Sequence, residues 1–364
     1  MSWYVVDVID RAVERTRSFL FEPFDITKWL KLAIIVFFIG GSGGFNGGGN
    51  GGSYDTSAGE PDVSWIPDSL TDFLSNLSHH ISSFSDTTML MTLVLILLLI
   101  FLIAIILGYI GSTMEFVLVE SLVSNEVRIR EYFKKFMGKG LSLYVLRLVI
   151  VFAVILMIVI VTAPFIFLIA EGDSGASGAL GIIGFIFAII AAVILFIIVL
   201  GIIGSFINMA IPVSMYQDSG LLSSIGRVFS QFKADWKQMV IYWIGRGILG
   251  FAVAIMAGII GLIILVILVL LLGAIDLALY YILNMVLSGT VLWSLLIAVV
   301  IVELLLLSFT SAIIRMPFAV FMKYHMLSFL ELWYQLKMPI FDELHSTSGN
   351  GPDQWIEEAE IIDE

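Results

Sequence analysis

The sequence predicts an all-α polytopic transmembrane bundle, and three observations support this fold class. The 364 residues are 60% hydrophobic and 13% charged, whereas a soluble domain is nearer half apolar and a quarter charged. The apolar residues lie in runs of roughly 20 or more, which is enough to cross a bilayer as a helix, and the alternating strands of a membrane barrel are absent. All 18 Lys and Arg residues fall in four blocks, and the long apolar stretches between the blocks contain none.

The four basic blocks orient the bundle. Membrane insertion holds Lys and Arg in the cytoplasm, so the blocks predict cytoplasmic segments and the three connectors without basic residues are expected outside. Both termini are then cytoplasmic, in a multi-pass protein of the plasma membrane. The first crossing is interrupted, because only residues 32–39 form an unbroken apolar run, and a re-entrant segment is the alternative. The six predicted crossings are residues 26–45, 88–112, 143–170, 180–211, 240–272 and 291–314.

The predicted integral membrane domain covers residues 1–338. Within it, residues 1–24 form an amphipathic helix at the membrane interface, and residues 42–87 form an external Gly-rich loop followed by a second amphipathic helix. Asn76 begins a glycosylation sequon in that helix. Residues 339–364 form an acidic tail that we expect to be disordered. The tail either remains solvated or folds a short apolar face onto a protein partner.

Pairs of phenylalanines spaced as Phe-x-x-Phe recur before three of the predicted membrane helices. The recurrence predicts a threefold internal repeat of helix, hairpin and helix, about 100 residues long. The segments that carry the pairs are amphipathic, so they either lie in the plane of the lipid headgroups or pack together as a small cytoplasmic core. The pairs are Phe21 and Phe24, Phe133 and Phe136, and Phe229 and Phe232.

Glu303 is predicted to be the single charged residue near the middle of a membrane span. It precedes Arg315 by 12 positions, which places it about 18 Å deeper in the bilayer. An ionised carboxylate at that depth is costly unless it is paired or reached by water. Glu303 is therefore either a proton or cation site of a transporter, or a neutral side chain bonded to Ser, Thr or backbone on a neighbouring helix.

A second group of polar residues is predicted near the cytoplasmic ends of the helices. Its charged members either form ion pairs that join the repeats, such as Glu115 with Arg315, or extend separately to the headgroups. A substrate site is the third possibility. The group comprises Glu115, Glu120, Arg147, Asn208, Arg246 and Arg315.

The sequence contains no pattern that predicts an enzyme. It has no cysteine, which excludes disulfides and thiol chemistry, and it has neither a phosphate-binding loop nor a nucleophile elbow. The adjacent His79 and His80 point in different directions and do not chelate, so we expect no metal and no cofactor. Nucleic acid is not an expected partner, because the basic blocks flank hydrophobic helices, where membrane lipids are nearer. No cleavable signal peptide is predicted.

Three segments carry a resemblance to a known group of proteins. They are Arg11-Ala-Val-Glu-Arg-Thr, Phe21-Glu-Pro-Phe-Asp-Ile-Thr-Lys-Trp-Leu and Arg227-Val-Phe-Ser-Gln-Phe-Lys-Ala-Asp-Trp. The chain resembles uncharacterised prokaryotic, often archaeal, multi-pass proteins that are loosely similar to the membrane domain of glycerophosphodiester phosphodiesterases. The soluble barrel of those enzymes, with its metal-binding carboxylates, is missing here, so the resemblance implies no phosphodiesterase activity. We expect a non-enzymatic scaffold that organises lipid or protein, the alternative being a small-solute or ion transporter with Glu303 at its centre.

Overall fold

The computed structural model describes residues 4–41, 87–171, 176–287 and 290–340. Within these ranges the chain is all-α, with eight helices and no strand, which confirms the all-α part of the predicted fold class. The helices are α1 (Tyr4–Phe21), α2 (Ile26–Gly41), α3 (Thr87–Ser124), α4 (Ile129–Glu171), α5 (Ala176–Tyr216), α6 (Leu221–Ala234), α7 (Trp236–Asn284) and α8 (Thr290–Trp333).

Five of the described helices are long and apolar enough to cross a membrane. The qualifying segments are Val94–Ser124, Ile129–Pro164, Gly184–Tyr216, Trp236–Asn284 and Val291–Trp333. Helix α2 has 16 residues and covers about 24 Å, which is less than the ~30 Å of a bilayer core. The chain is thus a multi-pass membrane protein by its helices, while a sixth crossing through α2 remains a prediction. Residues 42–45 of that predicted crossing lie outside the described ranges.

The helices extend beyond the crossings predicted from the sequence. The second predicted crossing ends at residue 112, but α3 continues to Ser124, and α7 passes the predicted end at residue 272 and reaches Asn284. Hydropathy marks where a helix becomes less apolar, which need not be where its backbone hydrogen bonds end. Neither extension contains a proline, the residue that would most strongly break an α-helix.

Short polar segments join the helices where the backbone must reverse. Asn125 (φ 57°) follows α3 and Asp218 (φ 43°) follows α5 in left-handed conformations, which Asn and Asp adopt more readily than other side chains. At the start of α2, the Asp25 carboxylate accepts a hydrogen bond from the Thr27 backbone N–H at 2.8 Å. This contact satisfies one of the free donors at a helix N-terminus.

The helices pack side by side in the order α7, α8, α2, α3, α4, α5. Helix α1 lies against α8, and α6 lies against α5. We call the end of the bundle that carries α1, α6 and the four basic blocks the basic end, and the opposite parts of the long helices the apolar end. The main hydrophobic core lies at the basic end and draws on α1, α3, α5 and α8, with Phe19, Phe116, Met209 and Phe329 among its fully buried side chains.

Helix α1 contributes directly to this core. Val8, Ala12, Phe19 and Leu20 are buried, and Arg15 donates hydrogen bonds to the hydroxyl of Ser328 and the carboxylate of Glu331 on α8, each at 2.8 Å. The helix therefore packs on its neighbours, and its predicted contact with lipid headgroups remains a prediction.

Two predicted features lie outside the described residues. They are the external loop and helix up to residue 86, with Asn76, and the acidic tail beyond residue 340. The threefold repeat also remains a prediction.

Candidate functional site

The first polar feature of the basic end is a buried ion pair between α3 and α4. The Arg147 guanidinium donates from Nη2 to Glu115 Oε1 at 2.6 Å and from Nη1 to Ser112 Oγ at 3.3 Å. Only 1% of the Glu115 side chain and 9% of the Arg147 side chain are exposed. Such a charge-assisted bond at low dielectric is strong because little water competes for it.

This geometry corrects the predicted pairing of Glu115 with Arg315. Arg315 is exposed and donates to the hydroxyl of Ser311 on its own helix. Helix α3 packs along α4 and α2, whereas it meets α8 over a shorter stretch. Arg147 on the adjacent helix is therefore the guanidinium that reaches Glu115.

A second buried contact joins α5 to α8. The Lys323 ammonium donates to Asn208 Oδ1 at 3.0 Å, and both side chains are buried. Lys323 also interacts electrostatically with Glu115, Arg147 and Arg246. The sequence placed Lys323 in a basic block but did not identify it as a site residue. We call Glu115, Arg147, Asn208, Arg246 and Lys323 the polar cluster.

Arg246, like Asn208, lines a cavity. Its Nη1 donates to the Tyr242 hydroxyl at 3.0 Å and to the Met322 backbone carbonyl at 3.2 Å, so it connects α7 to α8. Its side chain is half-buried and lines the cleft described below.

Glu120 lies apart from the polar cluster, nearer the turn between α3 and α4. Its carboxylate accepts from the Lys135 ammonium and from the Tyr216 hydroxyl, the latter at 3.1 Å. These contacts join α3 to α4 and α5 close to the exposed surface. Glu120 therefore links α3 to two neighbouring helices.

The structure corrects the prediction that Glu303 is the single charged residue near the middle of a span. Asp276 on α7 lies close enough to Glu303 on α8 for their side chains to share a hydrogen bond. Such a bond between two carboxyl groups requires a proton on one of them. The sequence analysis ended the fifth crossing at residue 272 and so left Asp276 in the following connector, whereas α7 continues past it. The described structure therefore gives Glu303 a carboxyl group as a partner, and its function remains a prediction.

The three phenylalanine pairs pack against aromatic rings of adjoining helices. Phe21 and Phe24 both contact Trp29 on α2, with ring centroids 5.6 and 5.5 Å apart. In the second pair, Phe133 contacts Tyr109 and Phe136 stacks on Phe116.

The third pair makes the densest of these contacts. Phe229 and Phe232 both lie against Phe206 on α5, and Phe232 also stacks on Trp243 of α7 at 5.8 Å. The third pair therefore fastens the short helix α6 to α5 and α7. The second pair joins the long helices α3 and α4, and the first pair packs on the short helix α2.

A cleft of about 580 Å³ lies between α5 and α7, with Met322 of α8 also lining it. At the basic end the cleft carries Ser205, Asn208, Tyr242 and Arg246, and Trp243 Nε1 donates across it to Ser205 Oγ at 2.9 Å. Towards the apolar end its walls are glycines and apolar side chains. They are Ile197, Ile198, Gly201, Ile202, Gly247, Gly250, Phe251 and Ala254.

A second cavity, of about 740 Å³, opens at the surface of the basic end. It is lined by polar side chains of α6 and its surroundings, including Gln217, Arg227 and Tyr334. Neither this cavity nor the cleft is lined by Glu303 or Asp276. Within the described ranges, no group of three or more His, Asp or Glu residues could hold a metal ion.

Comparison with known proteins places the chain in a family. No curated protein and no solved structure matches it. The comparisons give no support to an archaeal origin or to similarity with glycerophosphodiester phosphodiesterases, whereas the expectation of a multi-pass membrane family agrees with the five long apolar helices. Because the match extends over residues 3–337, the chain belongs to the family of unknown function DUF7544.

Proposed function

We propose that the chain is a non-enzymatic membrane scaffold that organises lipids or partner proteins at its basic end. The observation that carries the proposal is the construction of that end, where a closely packed core presents many exposed cations on its surface. Each cation near an anionic bilayer surface contributes about 1 kcal/mol of attraction. The exposed cations include Arg11, Arg17, Lys31, Arg128, Arg130, Lys134, Lys135, Arg227, Lys233 and Lys237.

The contacts of the basic end support a rigid platform. The Glu115–Arg147 ion pair, the Lys323–Asn208 hydrogen bond and the aromatic contacts of Phe206 tie neighbouring helices to each other. A surface held in this way keeps its charges at fixed spacing, which favours the gathering of several anionic headgroups.

The proposed orientation places the basic end and both termini in the cytoplasm of the plasma membrane. The absence of cysteine allows single reporters, such as Lys134→Cys, Lys233→Cys and Gly48→Cys. In intact cells, a membrane-impermeant thiol reagent should label Gly48→Cys and leave the other two unlabelled until the cells are opened. Labelling of Lys134→Cys or Lys233→Cys from outside would reverse the orientation.

Lipid clustering provides the test of the scaffold. The purified full-length protein would be placed in vesicles of phosphatidylcholine containing a minor fraction of phosphatidylglycerol that carries a self-quenching fluorophore. We expect quenching to rise with protein, and to fall when Arg227, Lys233 and Lys237 are replaced by Gln. The Ser223→Gln variant, altered on the same exposed surface of α6, keeps the charge and should behave as the unaltered protein. Equal quenching in all three proteins would refute the scaffold.

A transporter is the second candidate, and the contact between Asp276 and Glu303 favours it. Two carboxyl groups that share a proton between apolar helices can bind and release a proton or cation. The protein in vesicles loaded with a pH-sensitive dye should then dissipate an imposed pH gradient. Glu303→Gln should abolish this flux without reducing expression, and a flux that survives Glu303→Leu would exclude the carboxyl group from transport.

A further inference from the structure

The cleft between α5 and α7 joins a polar floor to an apolar wall. Arg246 and Asn208 lie at its basic end, and exposed aliphatic and aromatic side chains such as Ile197 and Phe251 lie at its opening. Its volume of about 580 Å³ falls within the range of small-molecule pockets. The opening lies along the apolar surface of candidate spans, so a molecule dissolved in the bilayer can enter from the side.

Glycines widen the apolar part of the cleft. A Cβ atom built on Gly201 or Gly247 would have no atom within 4 Å, and one on Gly250 would meet only the terminal methyl group of Met322 at 3.8 Å. No neighbouring helix therefore requires these residues to be glycine. Their effect is to leave space along the cleft, in the direction in which a lipid chain would lie.

The charges around the floor of the cleft are unbalanced. Arg147, Arg246 and Lys323 are cations, and Glu115 is the one carboxylate among the described groups that act on Lys323. Glu115 is already engaged by Arg147, and Lys323 lies behind Asn208 at the cleft floor. Positive charge held in a low-dielectric interior is costly unless an anion compensates it.

Arg246 has donors to offer such an anion. In the described part of the chain, both hydrogen bonds of its guanidinium use Nη1, which leaves Nη2 and Nε available. An arginine fork matches the oxygen spacing of a phosphate. Basic pockets between membrane helices are a recurring means of holding anionic headgroups.

We infer that this cleft binds one anionic phospholipid, with its phosphate at Arg246 and an acyl chain along Gly201, Gly247 and Gly250. The floor supplies the compensating positive charge, and the glycine wall supplies the space. The inference deepens the proposed function by naming the lipid class, and it rests on that function only for the biological role of the bound lipid.

Retention of lipid during purification tests the site. The full-length protein would be reconstituted with equal amounts of phosphatidylglycerol and phosphatidylcholine, extracted in mild detergent and analysed by native mass spectrometry. We expect one phosphatidylglycerol to be retained in preference to phosphatidylcholine. Loss of a charge-assisted contact in Arg246→Gln should weaken this retention about tenfold, whereas Arg315→Gln, which removes an exposed cation bonded to its own helix, should not change it.

The apolar half of the site has its own variant. A Cβ on Gly247 meets no atom within 4 Å, so Gly247→Leu can place its side chain in the cleft and should prevent retention of the lipid. The matched control is Gly258→Leu on the same helix, where a Cβ also meets nothing within 4 Å but the position does not line the cleft. Unchanged thermal unfolding of both variants establishes that they fold, and equal retention in the two would overturn the inference.

Glycerol 3-phosphate distinguishes a lipid from a free anion. We expect it to compete poorly, because it has the phosphate but no chain. If it displaced the retained lipid at equal concentration, or if phosphatidylcholine were held as tightly as phosphatidylglycerol, an anionic lipid site would be excluded. Equal clustering by the unaltered protein and by the Arg227, Lys233 and Lys237 variant, together with selective retention of phosphatidylglycerol, would refute the scaffold alone. Charge-dependent clustering without selective retention would refute the site alone.

Discussion

The two ends of the same long helices differ in how their apolar side chains are used. In α3, Leu122 at the basic end is fully buried by protein, whereas Leu98 towards the apolar end is 59% exposed. In α8, Phe329 is buried and Leu304 is exposed. The side chains have similar hydrophobicity, so composition alone does not decide their surroundings. The number of neighbouring helices decides it, because α1, α2 and α6 add packing at the basic end.

This difference indicates that protein contacts stabilise the basic end and that lipid must cover much of the apolar end. Substitutions at matched positions can therefore test whether the two ends are stabilised differently. Each unfolding free energy below would be measured by titrating the protein from mild detergent into dodecyl sulfate, with tryptophan fluorescence as the signal.

The largest effect is expected at the buried ion pair. Arg147→Met leaves the Glu115 carboxylate buried beside Ser112 without its guanidinium, and we expect a loss of about 4 kcal/mol. The double variant Glu115→Leu with Arg147→Met removes both charges and should recover most of that loss. If Arg147→Met lowered the free energy of unfolding by no more than Arg315→Met does, the Glu115–Arg147 ion pair would not stabilise the basic end.

A leucine pair on α3 tests the comparison directly. Leu122→Ala removes fully buried atoms from the core and should lower the free energy of unfolding by about 3 kcal/mol. Leu98→Ala, on an exposed part of the same helix, should change it by no more than about 0.5 kcal/mol. Equal losses at the two positions would mean that the apolar end is as closely packed as the basic end.

The close approach of α3 and α4 predicts smaller effects on stability at two nearby glycines of α4. The effects have opposite signs at the two positions. A Cβ on Gly140 would overlap Thr113 Oγ1 and lie 2.8 Å from Thr113 Cα, whereas a Cβ on Gly138 would meet nothing within 4 Å. We expect Gly140→Ala to destabilise the protein by about 2 kcal/mol. Gly138→Ala should stabilise it by up to about 1 kcal/mol through helix propensity alone, and a neutral result at Gly140 would contradict the tight contact.

The smallest effect is expected at an exposed ion pair of the same basic end. Arg17 contacts Glu22 at 3.0 Å, but 75% and 56% of their side chains are exposed. Water screens such a pair, so Arg17→Gln should cost at most about 0.5 kcal/mol. A loss approaching that of Arg147→Met would mean that burial is not what separates the two pairs.

The all-α fold class and the grouping of the cations could be predicted from the sequence, because both depend on local runs of residues. The apolar runs predicted the five long helices, and the basic blocks lie at one end of the antiparallel bundle, as the alternation of runs and blocks requires. Which residues pair with each other was harder to predict. Glu115 had several arginines at similar depth, and the choice of Arg147 depends on which helix lies beside α3.

Two site residues were missed for separate physical reasons. Asp276 was left outside the fifth crossing because the hydropathy falls near it, although the α-helix itself continues. Lys323 resembles any other member of a basic block until the packing of α5 against α8 buries it beside Asn208. The sequence feature that could have identified Lys323 is the apolar run on either side of it, because an exposed lysine on a soluble helix would have polar neighbours.

The length of α7 has a consequence for the surrounding membrane. The helix has 49 residues, and its part from Gly250 to Asn284 alone is about 51 Å long. Even leaning 40° from the bilayer normal, at the upper end of what is observed, this part would cover about 39 Å against a hydrocarbon thickness of about 30 Å. The part of the α7–α8 hairpin near Asp276 must therefore project beyond the hydrocarbon layer unless the adjoining lipids thicken to match the helix.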